Sequence, residues 1–136
     1  MIGNIYTMYI LSVEDDLAIR EAIQDVLSYA GYEVKTAENG KEALNLLQKD
    51  QSPGLILLDL MMPVMDGWHL IEELLKDRKL SAIPIVVVSA VASTESIHDR
   101  PNVKKVIKKP VVIEQLLKVV KDICGPPQPA ATQAGQ

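Results

Sequence analysis

The chain has 136 residues, of which 48% are apolar and 24% are charged, and its formal net charge is −4. This length suits one domain with a real hydrophobic core, and the balance is normal for a soluble globular protein. The acidic balance argues against nucleic-acid binding through net charge, and no apolar run approaches the roughly 20 residues that span a bilayer. The lone Cys124 excludes an internal disulfide and favours a reducing, cytoplasmic location.

Short apolar runs alternate with helical patterns along the chain. In chain order, the predicted elements are strand 8–13, helix 17–30, strand 32–37, helix 39–50, strand 54–59, helix 66–79, strand 83–89, a short helix at about Thr94 to Asp99, strand 103–108 and helix 112–123. The third and fourth strands are nearly continuous in apolar residues, as strands covered on both faces are. The second and fifth strands are mixed in character, which makes them better candidates for sheet edges.

Cap residues mark the ends of two of these helices. Asp16 precedes the first helical pattern and Asp66 precedes the third, and both are predicted N-caps. Gly31 follows the first helix and is predicted to end it. The short helix before strand 103–108 is limited by Pro101.

Five alternations of strand and helix favour a parallel sheet with right-handed crossovers and helices on both of its faces. We assign residues 1–124 to this domain. Residues 125–136, "GPPQPAATQAGQ", have no apolar periodicity and are predicted to form a disordered tail or linker.

Polar side chains follow four of the strands at the point where each strand ends. They are Glu14 and Asp15 after the first strand, Asp59 after the third, Ser89 at the end of the fourth and Lys109 after the fifth. In an open α/β sheet, ligands collect in the crevice outside the carboxyl ends of the strands. We therefore expect these side chains to meet in one crevice.

Such a crevice is suited to a divalent cation and a phosphoryl group. Two carboxylates about 4 Å apart repel by about 4 kcal/mol at an effective dielectric of 20, so three carboxylates either protonate or recruit a cation. An all-oxygen site with few carboxylates suits Mg²⁺. Lys109 and Ser89 are then available to bind the oxygens of an anion beside the metal, and Asp59 is placed to attack phosphorus.

Four motifs along the chain resemble the response-regulator receiver domain of two-component signalling, the CheY-like family. They are "ILSVEDD" (10–16), "LILLDLMMPVMDG" (55–67), "VVVSA" (86–90) and "KKP" (108–110). The resemblance covers about residues 8 to 124. It implies a doubly wound (βα)5 fold of flavodoxin type, with five parallel strands in the order 2-1-3-4-5.

The resemblance also implies a role for each site residue. Asp59 is expected to accept a phosphoryl group from a phosphohistidine of a sensor histidine kinase or a histidine phosphotransfer protein. Mg²⁺ is expected to bind Asp15, Asp59 and the backbone carbonyl of Met61, with Glu14 contributing mainly through water. Ser89 and Lys109 are expected to bind the phosphoryl oxygens. The signal then passes to a downstream protein partner or an output domain, and the chain catalyses only its own phosphorylation and dephosphorylation.

The chain departs from the family at the position three residues before the lysine. The family usually has Tyr or Phe there as a rotamer switch, whereas this chain has Val106 and no aromatic residue after Trp68. We therefore expect phosphoryl transfer to survive and the aromatic switch to be absent.

Two other functions are compatible with parts of the pattern. A Mg²⁺-dependent phosphatase of the haloacid dehalogenase type needs a second Asp two residues after its nucleophile, where this chain has Met61. A degenerate receiver that binds partners without phosphorylation is the other alternative. The complete set of Asp15, Asp59, Ser89 and Lys109 argues against it.

Overall fold

The structure, a computed structural model, describes residues 8–90 and 95–127 of the chain. Its elements are β1 (Tyr9–Val13), α1 (Leu17–Tyr29), β2 (Glu33–Ala37), α2 (Gly40–Lys49), β3 (Leu55–Leu58), α3 (Gly67–Leu75), a 3-10 helix (Leu80–Ala82), β4 (Ile85–Ser89), a second 3-10 helix (Glu95–Asp99), β5 (Val103–Lys108) and α4 (Ile113–Cys124). Each predicted strand is present, within two residues of its expected bounds.

The five strands form one parallel sheet in the order β2-β1-β3-β4-β5. The predicted fold class and strand order are confirmed, and the mixed strands β2 and β5 lie at the edges. In the central pair, Val13 of β1 is the register partner of Leu58 of β3. Because the strands are parallel, Glu14 and Asp59 leave the sheet side by side.

Two apolar clusters hold the sheet between layers of helices. One face packs against α2 and α3 and includes the buried side chains of Leu11, Ile56, Leu58 and Val87. The other face packs against α1 and α4, as the buried residues of those helices and of the alternate strand positions show. All residues of β3 are buried. Burial of each large apolar side chain contributes about 1.5–3 kcal/mol, so the buried strands at the sheet centre stabilise the fold strongly.

Side chains cap the starts of three helices. The Asp16 carboxylate accepts a hydrogen bond from the Ile19 amide at 3.0 Å, and Asp66 accepts from His69 at 2.9 Å. Both predicted N-caps are confirmed. Asn39 caps α2 in the same way, at the start of that helix. Gly31 follows α1 with a φ of +106°, a conformation that glycine adopts without a steric penalty.

The connection between β4 and β5 contains a 3-10 helix where a short helix was expected, and Thr94 lies outside the described residues. In the described part of the chain the crossovers between strands therefore contain α1, α2, α3 and this shorter element, and α4 follows the last strand. Pro101 limits the length of the segment, and the buried side chain of Ile97 packs it against the α2–α3 face. An ion pair from Arg100 to Glu72 ties the connection to α3.

The chain after α4 contacts the turn that precedes β2. The Tyr32 hydroxyl donates a hydrogen bond to the Gly125 carbonyl at 2.9 Å. Residues 128–136 lie outside the described residues, so the tail and its boundary stay a prediction. Among the helices of the described residues, none combines the length and apolar character that crossing a membrane requires.

Candidate functional site

Three carboxylates meet at the carboxyl edge of the sheet. Glu14, Asp15 and Asp59 each place a carboxylate oxygen within 4.8 Å of the others. Glu14 and Asp59 are only 2% and 4% exposed, whereas Asp15 is exposed to solvent. The crevice expected from the strand ends is therefore formed, and its acidic residues lie together.

Lys109 brings a cation into this acidic cluster from the end of β5. Its Nζ lies 2.8 Å from Glu14 Oε1 and 3.6 Å from Asp59 Oδ2. Burial disfavours the ammonium, but the hydrogen bond and the charges of the two carboxylates outweigh burial and raise the pKa of Lys109. The lysine therefore stays charged at neutral pH and offsets part of the carboxylate repulsion.

The surroundings of Glu14 disfavour its ionised form. Its pKa is raised, chiefly because burial disfavours the charged carboxylate, and the nearby Asp59 adds to the increase. Hydrogen bonds from Lys109 and from the Asp16 amide, the latter at 3.2 Å, oppose the increase. A further cation at this point would favour the ionised form.

Asp59 is fixed by backbone hydrogen bonds on both sides. Its amide donates to the Val13 carbonyl at 3.0 Å, which continues the β1–β3 pairing by one residue. The Met61 amide donates to Asp59 Oδ1 at 3.3 Å. A carboxylate at the end of a rigid strand is held in one orientation better than a carboxylate on a loop.

Gly67, which begins α3, packs directly against the backbone of Asp59 and Leu60. A Cβ atom at Gly67 would lie 2.4 Å from the Asp59 carbonyl oxygen and 2.8 Å from the Leu60 Cα. The Gly67 amide donates to the Leu60 carbonyl at 3.0 Å. Only a residue without a side chain lets the start of α3 pack this closely on the backbone of the site.

Ser89 lies beside the segment that carries Lys109. Ser89 is buried at the end of β4, and its carbonyl accepts a hydrogen bond from the Lys109 amide at 3.0 Å. Val106 is half-buried and packs on the α2–α3 face of the sheet. The side chain of Met61 is 64% exposed, and the expected role of its carbonyl as a metal ligand stays a prediction.

Sequence reasoning missed Arg20. The Nη1 atom of Arg20 donates hydrogen bonds to the carbonyls of Glu14 at 2.9 Å and Asp15 at 3.3 Å. Arg20 lies in the first turn of α1, directly after the acidic loop, and a long cationic side chain at that place is the signal that would have brought it to notice.

The donor set fits a small hard cation. All three side chains offer carboxylate oxygens, which are the ligands that Mg²⁺ prefers in proteins. Two of the carboxylates are buried beside each other, an arrangement that a divalent ion stabilises. The exposed position of Asp15 leaves room for the waters that Mg²⁺ retains.

Comparison with known proteins gives a consistent family match. The chain matches the family model described as "Response regulator receiver domain" over residues 10–121. The probable transcriptional regulator ycf27 of Cyanophora paradoxa is 46% identical over 81 residues, which cover 60% of this chain and 32% of that protein. Response regulator MprA of Mycobacterium leprae is 34% identical over 119 residues, which cover 84% and 50%. The chain thus spans about a third to a half of the length of these curated relatives.

Solved structures share the fold over most of the chain. Chemotaxis protein CheY4 of Vibrio cholerae is 30% identical, with a TM-score of 0.78, and the match covers 87% of this chain and 99% of that chain. The response regulator TrrA of Thermotoga maritima, solved in complex with Mg²⁺ and BeF, is 30% identical, with a TM-score of 0.76 and coverage of 86% and 99%.

Proposed function

The chain belongs to the response-regulator receiver domain family, whose members are phosphoacceptors in two-component signalling, and from that membership we propose that Asp59 is the phosphorylated residue. The observation that supports this assignment is the contact of Lys109 with two buried carboxylates beside a third, exposed one. Asp59 is the member of this cluster that lies at the end of the central strand pair.

The proposed reaction is a phosphoryl transfer from a phosphohistidine of a partner protein. An Asp59 carboxylate oxygen attacks phosphorus, the new P–O bond forms as the P–N bond breaks, and the bonding pair returns to the imidazole nitrogen. Lys109 and Ser89 bind the phosphoryl oxygens. The β1–β3 pairing already restricts the orientation of Asp59, so reaching the transition state costs little further orientational entropy.

We propose Mg²⁺ as the cofactor, held by Asp15, Asp59 and the Met61 carbonyl, with Glu14 contributing mainly through water. When bound, the ion neutralises charge on the transferring phosphoryl group. The chain's own contribution is to hold the carboxylates within 4.8 Å of one another and to keep the Lys109 ammonium between Glu14 and Asp59.

The partners follow from the chemistry of the transfer. The phosphodonor is a sensor histidine kinase or a histidine phosphotransfer protein. The signal then passes to a downstream protein or an output domain. The chain's own catalysis is limited to gain and loss of its phosphoryl group.

Phosphorylation of the purified chain tests this function. The protein and the variants Asp59→Asn and Asp66→Asn are each incubated with acetyl phosphate and Mg²⁺. The intact mass of each protein is then measured by mass spectrometry. Asp66 is a matched control because it is a nearby carboxylate that caps α3, and asparagine caps helices as well as aspartate does.

The expected result is one Mg²⁺-dependent phosphoryl adduct in the wild type and in Asp66→Asn, and none in Asp59→Asn. No adduct in the wild type, or an unchanged adduct in Asp59→Asn, contradicts the proposal. Continuous hydrolysis of small phosphate esters would instead indicate a phosphatase.

A further inference from the structure

We propose that Arg20 is a positioning residue for the metal site, because it holds the backbone of the loop that carries Asp15. This inference rests on the proposed function, since it concerns how the chain prepares its carboxylates for Mg²⁺. Arg20 itself touches neither the metal nor the phosphoryl group in this role.

The three carboxylates of the site differ in how they are held. The Glu14 carboxylate accepts hydrogen bonds from Lys109 and from the Asp16 amide. The Asp59 carboxylate accepts one from the Met61 amide and lies beside Lys109. Across residues 8–90 and 95–127, no hydrogen bond or ion pair fixes the side chain of Asp15, which is exposed. The direction of the Asp15 carboxylate therefore depends on its backbone.

Arg20 provides the restraint on that backbone. The carbonyls of Glu14 and Asp15 both accept hydrogen bonds from its Nη1 atom, at 2.9 and 3.3 Å. Both bonds come from one nitrogen, which brings two successive carbonyls to the same donor. These carbonyls belong to the two peptide units that flank the Asp15 Cα, so the contact restricts the backbone rotations of Asp15 itself.

Arg20 is in turn anchored on a rigid element. Its amide donates to the Asp16 carbonyl at 2.9 Å, and the Asp16 carboxylate caps the first turn of α1 at the Ile19 amide. The acidic loop is thus fastened to α1 through its backbone at two points. Mg²⁺ demands near-ideal octahedral geometry, so a fixed loop lowers the cost of assembling its ligands.

Loss of this restraint is expected to weaken metal binding. Removal of a partner that orients a metal ligand typically costs 10–100-fold in affinity. Arg20→Met keeps the aliphatic stem and is expected to raise the Mg²⁺ dissociation constant by about 10-fold. Arg20→Lys keeps the charge, but its ammonium ends one bond short of the Nη1 position, and the variant is expected to leave a weakening of at least about 3-fold.

Calorimetric titration of the full chain with Mg²⁺ measures this effect. Arg78→Met is the matched control, since it removes the same charge from an exposed residue whose side chain makes no hydrogen bond or ion pair with the rest of the described chain. Thermal melting in EDTA establishes that each variant is folded. As a second readout, the rate of phosphorylation by acetyl phosphate is measured across Mg²⁺ concentrations. Its half-saturation point is expected to shift in Arg20→Met, and its limiting rate to stay within about twofold.

Three results would overturn the inference. They are an Arg20→Met affinity within twofold of the wild type, an equal loss in Arg78→Met, and full recovery of affinity in Arg20→Lys, which would assign the effect to charge alone. If Arg20→Met does not fold, the Arg20→Lys titration decides by itself. A wild type that binds no Mg²⁺ would overturn the proposed cofactor as well, which separates that failure from the failure of the Arg20 role.

Discussion

The ammonium of Lys109 lies 2.8 Å from the carboxylate of Glu14, and both side chains are largely buried. The same ammonium lies 3.6 Å from Asp59, so the two partners of the lysine repel each other. Removing the cation and removing one of its anions should therefore have unequal effects on stability.

Lys109→Met is expected to lower the free energy of unfolding of the metal-free protein by about 3 kcal/mol, because it leaves two buried carboxylates without their cation. Glu14→Gln is expected to change it by less than about 1 kcal/mol, since a buried charge and its repulsion from Asp59 disappear while the amide oxygen still accepts a hydrogen bond. Urea denaturation at neutral pH in EDTA measures both values. Equal losses in the two variants would contradict this account.

Mg²⁺ should stabilise the folded protein through Asp15. A ligand at one hundred times its dissociation constant adds about 2.7 kcal/mol, so the wild type should melt at a higher temperature with Mg²⁺ than with EDTA. Asp15→Asn should lose most of this increase. Asp16→Asn is the matched control, because it removes an adjacent charge and keeps the cap on α1. An increase that survives in Asp15→Asn would exclude that carboxylate as a ligand.

Two glycines should respond differently to alanine. Gly67→Ala places Cβ against the backbone of Asp59 and Leu60, and should destabilise the fold by about 2–3 kcal/mol. At Gly54 the nearest atoms, at 1.9 and 2.3 Å, belong to the flexible side chain of Met8, which can turn away. Gly54→Ala should therefore cost less than about 1 kcal/mol. Chemical denaturation of both variants is the measurement, and a similar cost at the two positions would count against the close-packing argument.

Tyr9 should make the protein less stable at alkaline pH. Burial, with the added repulsion of Asp50 and Glu33, raises the pKa of Tyr9 from 10.0 to about 12. The folded protein therefore keeps the phenol proton longer than the unfolded chain does. The resulting stability is fully present below pH 10 and is lost as the pH rises from 10 toward 12.

Tyr9→Phe checks this effect. At neutral pH it should cost about 1 kcal/mol, because it removes the 2.6 Å hydrogen bond from the hydroxyl to the Gln51 carbonyl. Between pH 10 and 12 its stability should fall less steeply than that of the wild type. Parallel curves of unfolding free energy against pH for the two proteins would show that Tyr9 does not titrate as described.

Val106 should contribute little to phosphorylation, and Ser89 should contribute much. Val106→Ala removes two methyl groups from a half-buried side chain and should cost about 1 kcal/mol of stability, with the rate of reaction with acetyl phosphate within about twofold. Ser89→Ala removes a donor proposed to bind the phosphoryl group and should slow that reaction at least about tenfold. A tenfold loss in Val106→Ala would show that the position takes part in the reaction.

Sequence patterns were sufficient for the sheet and for the acidic part of the site. Runs such as Leu55 to Leu58 are buried on both sides, and a carboxylate directly after such a run is fixed at the sheet edge by the strand itself. The caps at Asp16 and Asp66 are local interactions within four residues, so the amino-acid sequence alone predicts them.

Other features depend on distances between residues that are far apart in the sequence. The sequence does not show that Lys109 lies closer to Glu14 than to Asp59, because three separate strands set those positions. The close approach of Gly67 depends on how α3 packs, and the contact of Arg20 depends on side-chain conformation. The 3-10 form of the Glu95–Asp99 segment follows from packing of Ile97 in a short connection.

The chain leaves the fold where α4 ends, and the hydrogen bond between Tyr32 and Gly125 marks that side of the molecule. Tyr32 precedes β2, so this attachment lies at the end of the sheet where the strands begin. That end is about 16 Å along the strands from the carboxylates. A fluorophore, a surface tether or a fused protein joined after residue 127 would begin on the opposite side from Asp59, and a phosphodonor would still have an unobstructed approach.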